Sequence, residues 1–133
     1  MANGIRDRVI EYNRAFGEGR LDDVRAMLHP DLEFDGTARP TVGRDEYMSG
    51  LPHLVSVLDR NEIRDVIVDG DRAFVLYDFI TDTAAGAVLS GELITFEDGL
   101  IRKITLLFDH RRWPEVVAEI QRRAAEAPTA AKR

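Results

Sequence analysis

The turn signals Asp69-Gly70, Ala85-Gly86 and Asp98-Gly99 divide residues 62–108 into four stretches of strand length rich in Val, Ile, Leu, Phe and Thr. Glycine in such a pair supplies the left-handed backbone of a tight turn. Glu62 to Val68, Arg72 to Thr83, Ala87 to Phe96 and Leu100 to Phe108 are therefore predicted to pair in order as an antiparallel meander. That sheet needs a cover, and the rest of the chain supplies helices. Ile5, Val9, Tyr12 and Phe16 recur at helical spacing between Asn3 and Phe16, with Gly17 and Gly19 as stops. A short helix fits Leu21 to Leu28, and a short strand fits Leu32 to Asp35. A third helical stretch opens at Gly43-Arg44-Asp45 and runs to about Leu58; Gly50 and Pro52 should kink or split it, leaving His53 open to other partners. Trp113 to Ala125 forms a last helix with Trp113, Val116, Val117 and Ile120 as its stripe. The expectation is one α+β domain over residues 1–125, with helices packed on the concave side of a curved antiparallel sheet. Residues 126–133 are expected to be a flexible tail.

Two acids stand where that sheet should be apolar. Asp78 and Glu92 lie in the middle of consecutive strands. A three-residue loop, with a type I turn at Ala84 and Ala85 and Gly86 left-handed, would pair Thr83 with Ala87 and hence Asp78 with Glu92. The same loop ending at Gly99 would set Glu92 opposite Ile104. One face then collects Phe74, Leu76, Asp78 and Ile80 with Val88, Ser90, Glu92, Ile94, Ile104, Leu106 and Phe108. Two carboxylates with Cβ atoms roughly 4.5 to 5.5 Å apart in such a wall would titrate as a coupled pair, an acid–base device in a small-molecule pocket. A slipped hairpin would instead turn one acid toward water or a surface arginine. The strand from Arg72 to Thr83 is apolar on both faces; helices cover one, and the other implies a homodimer interface.

The run Arg20-Leu21-Asp22-Asp23-Val24-Arg25-Ala26-Met27-Leu28-His29-Pro30-Asp31-Leu32-Glu33-Phe34, with the close Gly99-Leu100-Ile101 to Phe108-Asp109, resembles the nuclear transport factor 2-like superfamily. More narrowly, it is similar to the ketosteroid isomerase and SnoaL-like polyketide cyclase branch. The resemblance implies a cone-shaped α+β barrel in a superfamily of isomerases, cyclases, dehydratases, epoxide hydrolases and non-catalytic members. It places Tyr12 where the isomerases carry an oxyanion-hole tyrosine, and Glu92 on their second donor, a carboxylic acid kept neutral by an apolar site. The isomerase general base falls on Gly36. Asp35, one residue earlier, belongs to the opposite face of a strand.

The net charge of -6 repels phosphate backbones, so nucleic acid is not an expected partner. There is no cysteine, the three histidines are scattered and no glycine-rich phosphate loop exists, so neither a metal nor a cofactor is expected. No run approaches the roughly 20 apolar residues of a membrane span, and a cytoplasmic protein is the default. The expected function is a small-molecule lyase, isomerase or cyclase using general acid–base chemistry, with Asp78, Glu92, Tyr12 and His53 as catalytic residues. Phe16, Phe34, Leu76, Ile80, Ile94, Leu106 and Phe108 would hold a hydrophobic substrate. The competing expectation is a non-catalytic ligand-binding or dimerisation module of the same fold.

Overall fold

The spacing of apolar residues near the N-terminus yields helix α1 (Ala2–Gly17), which buries Val9, Tyr12, Ala15 and Phe16. The computed structural model describes residues 2–36 and 40–131. Helix α2 (Leu21–Ala26) is shorter than its pattern suggested, because Leu28 already belongs to strand β1 (Leu28–Asp35). Strand β2 (Thr41–Val42), which the sequence did not signal, returns along β1 with Thr41 opposite Phe34. Helix α3 (Arg44–Val55) follows, then β3 (Leu58–Asp69), β4 (Arg72–Thr81), β5 (Ala87–Glu97), β6 (Leu100–Phe108) and α4 (Trp113–Ala131).

The four long strands pair consecutively, as the turn spacing predicts, within a curved six-stranded sheet of order β2-β1-β6-β5-β4-β3. The sheet is not wholly antiparallel, since β1 runs parallel to β6. Register breaks between Leu58 and Arg60 and between Ile63 and Asp65 on β3, and between Thr95 and Phe96 on β5, interrupt the ladders; bulges of this kind bend and twist a sheet. The inner residues of β4 alternate as buried Ala73, Val75, Tyr77, Phe79 and Thr81, and the first four join α1 and α3 in one core.

The β4–β5 hairpin departs from the expected register. Gly86 is left-handed, with φ 65°, and its N–H donates to the Thr83 carbonyl at 3.0 Å, so the expected turn exists. The chain nevertheless leaves the ladder at Thr81 and not at Thr83. The Thr81 hydroxyl donates to the Gly86 carbonyl at 2.9 Å and accepts from the Thr83 N–H, and the Thr83 hydroxyl accepts from the Ala85 N–H. These side-chain bonds compete with continued pairing, as short hydroxyl side chains do near turns. Ile80 is therefore opposite Ala87, Asp78 opposite Leu89, and Glu92 opposite Val75. A slip of three residues is odd, so every side chain of β4 changes face.

The β5–β6 hairpin slips by an even number. Asp98 and Gly99 both have positive φ, 54° and 79°, and close a two-residue turn that pairs Glu97 with Leu100. The bulge at Thr95/Phe96 adds one more residue, so Glu92 lies opposite Leu106 and not Ile104. The face of Ser90, Glu92, Ile94, Ile104 and Leu106 survives intact.

Two further expectations are corrected. Helix α3 is not split: it continues through Gly50 and Pro52, and His53 sits exposed on it. Helix α4 continues past Ala125 to Ala131, so the stretch from residue 126 to there is helical and not a loose tail.

Candidate functional site

Between α3, the inner face of β4–β6 and the start of α4 lies a cavity of about 380 Å³. Its wall is largely aromatic: Phe16 from α1, Phe34 from β1, Tyr47 from α3, Tyr77 and Phe79 from β4, Phe108 from β6 and Trp113 from α4. The rings are mutually packed, with Phe34 against Tyr47 at 4.9 Å and Trp113 edge-on to both Phe108 and Phe79. Such packing leaves few rotamers open and gives the cavity a fixed shape.

Glu92 reaches this cavity from the middle of β5 and is only 7% exposed. Alternation alone sends it there, because Ser90 and Ile94 on either side by two are also buried. Its Oε2 accepts a 2.5 Å hydrogen bond from the Tyr77 hydroxyl, which stands diagonally across the β4–β5 ladder. Burial pushes the Glu92 carboxyl up to about 7, against the downward pull of that hydrogen bond. Close to neutral pH the site thus holds a carboxyl poised between its acid and base forms.

A second pair lies beside the first. The Tyr12 and Tyr47 hydroxyls are 2.6 Å apart; Tyr47 lines the cavity, whereas Tyr12 sits behind it, 1% exposed. Burial and the Glu92 charge raise the Tyr47 phenol, and burial, Tyr47 and Glu92 raise that of Tyr12. Tyr77 is raised by burial first and by Glu92 second. All three phenols keep their protons at neutral pH. With Tyr12 donating, the Tyr47 proton is free for a bond into the cavity.

The remaining expected residues divide by strand parity. Phe16, Phe34, Leu106 and Phe108 line the cavity. Ile94 shares the inner face of Glu92 but is fully buried between Ala73 and Ile104, away from the cavity wall. Leu76, Asp78 and Ile80 lie on the outer face of β4. There Asp78 accepts two hydrogen bonds from Arg64 on β3, Nε to Oδ2 at 3.0 Å and Nη2 to Oδ1 at 3.1 Å. Asp78 and Glu92 do not meet. His53 is exposed and outside the wall, and Asp35 is likewise exposed. Tyr47 and Tyr77, which the sequence reading missed, carry the polar side of the cavity; correct hairpin parity would have flagged Tyr77, whose inner neighbours are Val75 and Phe79.

The SnoaL-like domain family matches residues 9–104. The chain belongs to that family. Solved structures similar to this SnoaL-like domain include a nuclear transport factor 2-like protein from Cytophaga hutchinsonii, 19% identical over 82% of this chain and 93% of that one, with TM-score 0.70. Another is TerC, co-crystallised with polyporic acid, 19% identical over 86% and 98%, with TM-score 0.73. A third is a protein from Kribbella flavida assigned as a candidate ketosteroid isomerase, 16% identical over 81% and 79%, with TM-score 0.72. At these identities the likeness shows the fold alone. No protein of curated function matches the sequence. Among the described residues, no helix of this SnoaL-like domain is long and apolar enough to cross a membrane, and no three His, Asp or Glu side chains are grouped to hold a metal ion.

Proposed function

We propose that this SnoaL-like domain is a small-molecule isomerase, cyclase or lyase that moves protons with Glu92 in its aromatic cavity. One observation carries the reading: a carboxyl raised to about 7 stands in a cavity wall that is otherwise mostly apolar, pinned by Tyr77. As carboxylate, Glu92 takes a C–H proton next to a substrate carbonyl. The C–H electron pair moves into the new double bond, and the carbonyl oxygen takes the negative charge. The Tyr47 hydroxyl, backed by Tyr12, donates to that oxygen. Glu92, now protonated, returns the proton to another carbon or to a leaving oxygen. Tyr77 is a positioning residue that fixes the carboxyl orientation.

The test needs no natural substrate. The neutral, enolisable bicyclic ketone 2-tetralone should exchange its C1 protons in D2O faster with the protein than without it, followed by proton NMR. Glu92→Gln should slow the protein-dependent exchange by about 10²- to 10⁴-fold with the fold retained by circular dichroism. Equal rates for the two proteins would overturn the assignment. The proposal extends to a homodimer, supported by exposed Ile67, Leu89, Leu93 and Leu107 around half-buried Phe74 and Leu76 on the outer face of the sheet.

A further inference from the structure

Gly50 is a glycine without a reason in the fold. It sits inside α3, where glycine is among the poorest helix formers, and α3 already tolerates Pro52 two residues later. Its φ is outside the left-handed region, and a Cβ built on it would meet no heavy atom within 4 Å outside its own helix turn and chain neighbours. Gly91 shows the contrast, since a Cβ there would stand 2.5 Å from the Phe74 ring. Neither backbone conformation nor close packing calls for glycine at position 50.

Its place on the helix supplies the missing reason. Gly50 follows Tyr47 by three residues and precedes Leu54 by four, so the three share one stripe of α3. Tyr47, Gly50 and Leu54 all border the cavity. Tyr47 is buried, whereas Gly50 is exposed, as are Glu46 and Ser49 beside it on the wall. Gly50 is thus the exposed member of a stripe flanked by buried Tyr47 and half-buried Leu54, at the solvent-facing rim of the cavity wall.

We propose that Gly50 is the sill of the cavity, a specificity-determining position whose missing side chain sets the width of the small molecule admitted. The inference rests on the cavity being the ligand site, but not on Glu92 being the proton carrier. The helix tolerates a poor helix former here so that the cavity rim stays open.

Three variants and one fluorescent probe, 2-naphthol, test it. Gly50→Ala should raise Tm by about 2 to 4 °C, as removing an unneeded helical glycine does. Gly50→Leu should remain folded by circular dichroism and bind 2-naphthol at least about tenfold more weakly than the parent, because the new side chain fills open space that the ligand would use. Gly50→Gln, a polar side chain of similar reach on the exposed sill, should show the same loss and serves if the leucine variant fails to fold. A fall in Tm for Gly50→Ala would mean that the fold needs the glycine, and would overturn the proposal. So would unchanged 2-naphthol affinity in a folded Gly50→Leu or Gly50→Gln protein, or no binding by the parent. Glu92→Gln in the 2-tetralone exchange separates the two readings: if exchange survives in Glu92→Gln while Gly50→Leu still loses 2-naphthol, the proton-transfer reading fails and the sill stands.

Discussion

A carboxyl held among aromatic rings ionises against the loss of its hydration, and Glu92 registers that loss in its pKa of about 7 against an ordinary 4.5. The folded state therefore binds the proton more tightly than the unfolded chain. Stability should fall as pH rises from about 4.5 through about 7, by roughly 3 kcal/mol in all, and then level off. Glu92→Gln carries no such charge, so urea midpoints at pH 5 and pH 8 should differ less for the variant than for the parent, and the variant should be the more stable at pH 8. Tyr77 acts in the other direction. Its hydroxyl favours the charged carboxylate, so Tyr77→Phe should push the Glu92 carboxyl higher still, visible as an upward shift of its titration in carbon NMR. Glu92 itself was legible in the sequence, because an acid amid the apolar residues of a strand is unusual wherever the strand pairs. Tyr77 was not, since its role depends on which face of β4 turns inward.

At the scale of the element, the β4–β5 hairpin shows how a correct turn can give a wrong register. Gly86 marks the turn truly, yet the Thr81 and Thr83 hydroxyls draw the flanking residues out of the ladder. Thr81→Val keeps the shape and removes the donor to the Gly86 carbonyl and the acceptor for the Thr83 N–H. It should destabilise the protein by about 1 to 2 kcal/mol, read from denaturant midpoints. Asp78→Asn tests the parity directly. Asp78 is paired with a half-exposed arginine on the outer face, so its loss should change stability by less than about 1 kcal/mol and leave 2-tetralone exchange unaltered. A large loss of exchange would mean that Asp78 acts on the cavity after all. Strand existence was readable here from composition and glycine spacing. Strand parity was not, because two threonine side chains decided it and side-chain competition with the ladder leaves no periodic signal.

For the whole molecule, the outer face of the sheet keeps Leu107 67% exposed and Ile67 60% exposed, more apolar surface than a solvated strand face needs. If a second copy covers that face, Leu93→Lys with Leu107→Lys should turn a dimer into a folded monomer in sedimentation velocity; an unchanged dimer would place the interface elsewhere. The amino-acid sequence by itself determined the order of helices and strands, the α+β class, the family and the inward direction of Glu92. Those follow from local periodicity, turn chemistry and an even register offset that leaves faces unchanged. Only the tertiary structure decided that Asp78 belongs to the outside, that Tyr77 and Tyr47 supply the hydroxyls, and that α3 runs unbroken past Gly50 along the cavity. Each of these turns on contacts between segments far apart in the chain, where a single-residue offset exchanges the core face for the solvent face and no local pattern records the choice.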